Sequence, residues 1–368
     1  MKTFKAAVIG VGFIGVAHVE ALRRIPGVEV VAIVDRFGVK EKAESLGVPY
    51  GFEDYKEMFE VVKPDCVHVC TPNSTHREIA LYAFERGCAV ICEKPMTTDA
   101  EEAEIMVEAA KKSGMVNAIN LHNRYYPMPH HLRNIIKDGE LGDIFSIQGG
   151  YLQDWLALES DFSWKVQQKF VGKTRMVADL GTHWIDLSEY VTGHKVTEVF
   201  GEFKTVYPTR KNVTKDGAED VPVDTEDMAN IMLRYDNGAV GSATVSSVFA
   251  GKKNQTVLQV AGSKASAEWD TDRNIGDLRI GYRNEANRIL TKDPSLVHPD
   301  TKPICSYPGG HVEGFPDAFK QNFTAIYNKI RGIEPANPFA TFEDGAHLMK
   351  VCDAIYESAH EGRWVKVN

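Results

Sequence analysis

Lys94, Asp179 and His183 are the side chains in this sequence whose types and spacing suit proton and hydride chemistry at an alcohol. Asp179 and His183 are four residues apart, which puts both on one face of a helix. Histidine titrates near neutrality and can take a hydroxyl proton as a hydride leaves the carbon. An ammonium such as that of Lys94 stabilises the developing alkoxide. A carboxylate such as that of Asp179 binds a neighbouring hydroxyl or holds the imidazole in one tautomer. Each residue also has an ordinary structural reading. Lys94 suits a surface loop, Asp179 an N-cap ahead of an apolar run, and His183 a satisfied core position beside Trp184. A metal site built from Asp179, His183 and Asp186 is disfavoured, because no second histidine pairs with them at ligand spacing.

The element that must position such chemistry lies at the start of the chain. Ala6-Ala7-Val8-Ile9 is a short apolar run leading into Gly10-Val11-Gly12-Phe13-Ile14-Gly15, a G-x-G-x-x-G. An amphipathic segment, His18 to Ile25, follows, then a second apolar run, Val28 to Val34, ending on Asp35. Strand, glycine turn, helix, strand and acid form the order of a dinucleotide-binding βαβ unit. Gly10 permits the tight turn, Gly12 lets a pyrophosphate approach the backbone, and Gly15 lets helix and strand pack closely. The helix N-terminus offers free N–H groups to the phosphates. Asp35 can accept from the ribose hydroxyls and repels a 2′-phosphate, which favours NAD. Arg36 beside it suits that phosphate or solvent equally well, so NADP stays open.

Strand and helix patterns alternate to about residue 122, which predicts a parallel doubly wound sheet. Ligands of such sheets lie beyond the carboxyl ends of the strands. That rule selects Gly10–Gly15, Asp35–Arg36, Thr71-Pro72-Asn73-Ser74-Thr75-His76 and Glu93-Lys94-Pro95. Thr98 or Asp99 is a candidate cap for a helix running to Ser113. Beyond 122 the pattern turns to alternating strands, with Asp236-Asn237-Gly238 as a hairpin turn. The expected fold is a Rossmann α/β domain over 1–122, followed by an α+β domain over 123–368 with a large, mostly antiparallel open sheet. A helical stretch over 176–192 carries Asp179 and His183. Helices are also expected over 317–330 and 342–361, the last at the domain junction. Phe145, Ile147, Val199, Phe203, Ile231, Leu233, Val240, Val245 and Val257 exceed what one small helical layer covers. A second subunit on the open face, in a homodimer or homotetramer, is therefore expected.

The composition is 43% apolar and 25% charged, with net charge −9 and no long run of Lys and Arg. Nucleic acid and anionic membranes are not expected partners. Met1-Lys2-Thr3-Phe4-Lys5 leads into the first strand with no signal-type stretch, and no run approaches a membrane span. Four of the six cysteines lie in apolar strand-like runs, as buried free thiols do. These features predict a cytoplasmic protein.

The motifs together resemble the glucose–fructose oxidoreductase/inositol dehydrogenase (Gfo/Idh/MocA) family. The resemblance rests on Gly10-x-Gly12-x-x-Gly15 with His18, Asp35, Thr71-Pro72-Asn73-x-x-His76, Glu93-Lys94-Pro95, Asp179-x-Gly181-x-His183-x-x-Asp186 and the ending Glu361-Gly362-Arg363-Trp364. It implies that Lys94 is catalytic, His183 is the base and Asp179 binds a substrate hydroxyl. It also implies that the cofactor is lined by Gly10, Gly12, Phe13, Ile14, Gly15, Asp35, Arg36, Thr71, Pro72, Asn73, His76, Glu93, Lys94 and Asn123. Tyr151-Leu152-Gln153-Asp154-Trp155-Leu156 and Pro308-Gly309-Gly310-His311-x-Glu313-Gly314 are similar to members acting on levoglucosan and related sugars. One departure stands out. Many members carry a glycine triplet before the aspartate, where this chain has Gly172-Lys173-Thr174-Arg175-Met176, so that Lys173 or Arg175 either reaches the substrate pocket or is solvated.

Besides Lys94, Asp179 and His183, the substrate contacts expected for a sugar or cyclic polyol are Arg124, Tyr125, Gln153, Asp154, Trp155, Trp164 and His311. The implied activity is NAD(P)-dependent oxidation of a secondary hydroxyl of a sugar, anhydrosugar or inositol. Two other readings are a redox-neutral glycosidase with retained NAD and a non-catalytic NAD-binding sensor.

Overall fold

The computed structural model describes residues 3–214 and 217–368; the start at Met1 and Lys2 lies outside them. The chain divides into two compact units. One holds the chain up to Tyr125 together with Phe315–Ala346; the other holds Tyr126–Gly314 and His347–Asn368. A single cut near 122 therefore describes only the first crossing. The chain returns to the first unit late in its course, and helix Phe342–Glu361 contributes residues to both units.

In the first unit, strands β1 (Phe4–Ile9), β2 (Val28–Val34), β3 (Tyr50–Phe52), β4 (Cys66–Val69), β5 (Ala89–Cys92) and β6 (Asn117–Ile119) form one sheet in the order β3-β2-β1-β4-β5-β6. All its pairings are parallel. Every residue of β4 and β5 is buried, as strands covered on both faces require. The intervening helices start from side-chain caps where the sequence offers them. Asp54 accepts from the N–H of Lys56, and Asp99, the nearer of the two cap candidates, accepts from Glu102. Helix Phe315–Ile330 belongs here because its aromatic stripe meets helix Phe13–Arg23, with the Phe319 and Phe323 rings 5.5 and 4.7 Å from the His18 ring. Arg24 and Asp317 add an ion pair at 2.6 Å.

The second unit is built on strands β7 (Ile144–Leu152), β8 (Val196–Lys204), β9 (Thr209–Thr214), β10 (Gly217–Pro222), β11 (Met228–Tyr235), β12 (Val240–Ser246), β13 (Gln255–Gly262), β14 (Ala265–Asp270), β15 (Asp277–Tyr282), β16 (Arg288–Thr291) and β17 (Val365–Lys366). Nine of them form a sheet in the order β16-β15-β14-β13-β7-β12-β11-β8-β17, in which β7 and β12 are the parallel pair. β9 and β10 form a separate hairpin, which the sequence did not announce because both strands are polar.

The surplus apolar face expected of this sheet is smaller than the count implies: of the nine residues, Phe145 and Val240 are exposed and Phe203 and Val257 half-buried. Ile147, Val199, Ile231, Leu233 and Val245 are all buried, because period-two alternation puts them on the helix-covered side. The other side carries a polar cross-strand row, Gln148, Gln259, Glu268 and Arg279, with exposed Met232 and Val240 further along. Gly149 explains how a helix docks so closely on the covered side. A Cβ there would lie 1.9 Å from the Val257 carbonyl oxygen and 3.0 Å from the indole nitrogen of Trp184, which donates to that carbonyl at 2.7 Å.

Candidate active site

The carboxyl edge of the parallel sheet gathers the dinucleotide motif. Gly10 adopts φ +89, and a Cβ on it would lie 2.7 Å from the Cys70 carbonyl. A Cβ on Gly15 would lie 2.0 Å from the Gly10 oxygen, so helix and strand pack at backbone distance. Gly12 has open space around it, and no side chain caps helix Phe13–Arg23, leaving its first N–H groups for an anion. Phe13 is exposed and Ile14 half-buried at the same turn. Asp35 ends β2 with its carboxylate already aligned, accepting from the N–H groups of Val11 and Phe37 at 2.9 and 3.2 Å and pairing with Lys42 at 2.9 Å. Burial opposes its ionisation, but Lys42 and the two N–H donors hold its pKa below the ordinary carboxylate value. This donor set fits a dinucleotide: an open glycine for the pyrophosphate and a fixed carboxylate for a ribose diol. Arg36 is exposed beside it.

Two loops beyond β4 and β5 are tied together by His76, whose ring lies between the carbonyls of Thr71 and Met96 at 2.8 and 3.2 Å. Pro72 is exposed and Asn73 half-buried on the first of these loops. Burial pulls His76 below its ordinary pKa, and the neutral ring donates to only one of the Thr71 and Met96 carbonyls while packing against the other. Lys94, half-buried, follows β5. Its neighbour Glu93 points inward. Oε1 accepts from Asn120 at 2.5 Å and pairs with His18 Nε2 at 2.8 Å, while Oε2 accepts the Lys94 N–H at 3.2 Å. The chain continues through a His18–His68 Nδ1···Nδ1 contact of 2.8 Å to the Tyr327 hydroxyl at 3.2 Å. A single proton must lie between the two Nδ1 atoms for that contact to be a hydrogen bond. Burial opposes ionisation of Glu93, but the His18 and Asn120 donors and the Lys94 charge hold its carboxyl at about 2. The carboxylate expected to line the cofactor is thus committed to the interior.

Asn123, Arg124 and Tyr125 are buried in a short turn. Arg124 pairs with Asp344 at 3.3 Å and the Tyr125 hydroxyl donates to the Asn337 carbonyl at 3.2 Å, so both brace the first unit.

In the second unit, Asp179 lies within a π-helical turn, Val177–Gly181, which runs directly into helix Thr182–Thr192 carrying His183. It is therefore inside the helix rather than at its N-cap. Single π turns are frequent at functional sites because they re-aim side chains within a regular helix. Asp179 pairs with Lys165 at 3.1 Å. His183 is buried, with the Tyr151 ring 6.0 Å from its own. The Tyr151 hydroxyl and the Gln153 amide both donate to Asn254 Oδ1 at 2.7 Å. Burial, together with the nearby Asp179 charge, raises the Tyr151 pKa.

Asp154 faces Lys253 at 2.8 Å, Trp155 and Trp164 are partly exposed, and His311 is exposed in the 308–314 loop. Arg175 matches neither expectation, whereas Lys173 is exposed and fits the solvated one. Arg175 is 1% exposed and bound to Glu226 and Asp227; Lys173 pairs with Asp353 at 2.9 Å. Sequence reasoning missed Lys165, Asn254 and Glu226, because each reaches its partner across a long loop and follows no periodic pattern.

Residues 4–121 match the model of an oxidoreductase family with an NAD-binding Rossmann fold, and residues 130–268 match the Gfo/Idh/MocA C-terminal domain. The levoglucosan dehydrogenase of Pseudarthrobacter phenanthrenivorans is 28% identical over 100% of this chain and 99% of its own. The D-glucoside 3-dehydrogenase of Escherichia coli is 30% identical over 99% of this chain and 97% of its own. Among solved structures, a levoglucosan dehydrogenase in complex with NADH and levoglucosan superposes with a TM-score of 0.91 at 27% identity, covering 100% of both chains.

Proposed function

The chain belongs to the Gfo/Idh/MocA oxidoreductase family, whose first domain binds NAD, and from that membership we propose that it oxidises a secondary hydroxyl of a sugar, anhydrosugar or inositol. NAD, when bound, supplies the hydride acceptor. The Gly10–Gly15 turn, the N–H groups of helix Phe13–Arg23 and Asp35 would hold it. His183 takes the proton of the reacting hydroxyl, and the Lys94 ammonium stabilises the oxygen as it becomes an alkoxide. Asp179, with Lys165 beside it, accepts from an adjacent hydroxyl and orients the ring. The observation that carries this reading is the position of Lys94. It follows β5 at the carboxyl edge that the glycine turn and Asp35 share.

The test is absorbance at 340 nm with NAD or NADP and a panel of inositols, aldoses, 1,5-anhydro sugars and levoglucosan. A rise with one class fixes the cofactor and the substrate class together. No rise, in protein that binds NADH, refutes the dehydrogenase reading. Lys94→Ala or His183→Ala retaining turnover refutes the assigned roles; the expected loss is about a thousandfold, in the range of a general base or a charge-stabilising donor.

The six free thiols support a reducing, cytoplasmic setting. No helix among the described residues is long and apolar enough to cross a membrane. Exposed Met232 and Val240 support self-association through the open sheet face. Gel filtration at the 40.9 kDa monomer mass alone would refute that.

A further inference from the structure

Residues 174–177, in the segment that departs from the glycine triplet of many members, are buried and run into the turn bearing Asp179. The N–H groups of Arg175 and Val177 both donate to Glu226 Oε1 at 2.9 Å, and the Arg175 N–H lies 3.0 Å from Oε2 as well. The Arg175 guanidinium returns two bonds to the Glu226 carbonyl, at 3.2 and 3.0 Å, and pairs with Asp227. Asp227 is also held by Arg210 at 3.0 Å and accepts the Val206 N–H at 2.7 Å. All four side chains are at most 3% exposed. Two guanidinium groups and two carboxylates therefore cluster in the interior of one unit, with Arg210 also donating to the carbonyls of Leu156, Leu158 and Asp161.

The N–H groups that Glu226 takes are those a helix beginning here leaves unpaired. The first helical bond of the segment, from the Asp179 N–H to the Arg175 carbonyl at 2.7 Å, starts from the residue that Glu226 fixes. A carboxylate at this end also suits the helix dipole. We infer that Glu226 is a positioning residue for the reaction: from the loop before β11 it caps the catalytic helix, sets where the π turn begins and so places Asp179 against the substrate hydroxyl. Arg175, whose N–H binds the Glu226 carboxylate and whose guanidinium binds the Glu226 carbonyl, is its buried partner. This inference rests on the role of Asp179 given above.

Two substitutions separate reach from charge. Glu226→Gln keeps an oxygen where both N–H groups find it and removes the charge. Glu226→Asp keeps the charge and withdraws the oxygen by one methylene. The expected result is a KM for the oxidised sugar within about twofold of wild type for E226Q and raised about tenfold for E226D. The dissociation constant for NADH, read by its fluorescence, is unchanged in both. Amide hydrogen exchange over 175–179 is faster in E226D than in E226Q.

Unchanged exchange in E226D overturns the anchoring itself, and E226Q impaired more than E226D overturns the argument from reach. Faster exchange with an unchanged KM overturns the role of Asp179 while the anchoring stands. The exchange measurement reads out even if no sugar in the panel is oxidised.

Discussion

Glu93 and Glu226 lie in different units, and each carboxylate accepts a backbone N–H from a segment carrying a proposed catalytic side chain. Both are buried, yet burial ends differently for the two. Glu93 has side-chain donors, His18 and Asn120, and its carboxyl is held down at about 2. Glu226 is met chiefly by backbone N–H groups, while the Arg175 guanidinium goes to the Glu226 carbonyl and to Asp227; burial prevails and its carboxyl rises above the ordinary value. The difference teaches that a buried anchor need not be a strongly ionised one. What ionisation requires is charged or strongly polar donors aimed at the carboxylate itself.

The largest effect that sharpens this comparison is expected from Arg175→Met. It leaves Asp227 with Arg210 alone and removes the charge nearest Glu226, so urea denaturation should show a loss of about 3–5 kcal/mol. A loss under about 1 kcal/mol would break the picture of a charge-balanced set.

Glu93→Gln comes next. The native carboxyl sits at about 2 against an ordinary value of 4.5, so the native state releases its proton more readily than the unfolded chain. Stability from this source is present above pH 4.5 and lost as pH falls toward 2. The two values differ by about 3 kcal/mol in linkage terms. E93Q should lack that part of the acid limb in melts between pH 7 and 3. Glu226 has the opposite sign: its native carboxyl is raised, so its ionisation lowers stability as pH climbs through the native pKa. E226Q should therefore be as stable as wild type at pH 8, where E93Q is not.

His68→Phe should cost about 2 kcal/mol by thermal melt, because it leaves His18 Nδ1 buried without its partner. Burial and the neighbouring His18 already hold His68 well below its ordinary pKa, so this loss should not vary between pH 6 and 8. Asp99→Ala should cost only about 1 kcal/mol as a lost N-cap.

Local pattern carried much of this fold. The G-x-G-x-x-G turn, Asp35 and the Glu-Lys-Pro loop each follow a run of four to seven mostly apolar residues, and the runs are the strands observed. Helix Phe342–Glu361 and strand Met228–Tyr235 lie where periodicity placed them. The polar hairpin β9–β10, the three-residue β3 and the short β16 escaped, because none carries a sustained alternation. The apolar surplus of the open sheet face was overcounted for a related reason. Counting apolar residues across strands ignores which side each one takes, and register alone decides that.

By itself, then, the sequence determined the βαβ cofactor element, the family and the residues to suspect, because those are properties of neighbours within about thirty positions. Only the tertiary structure decided what surrounds them. It brought helix Phe315–Ile330 back to the first unit, so that Tyr327 reaches His68 across 259 residues. It also set Glu226 against Arg175 across 51. Such pairs are selected by burial: a polar group taken from water must find a donor or acceptor in whatever segment packs against it, and local spacing holds no record of which segment that is.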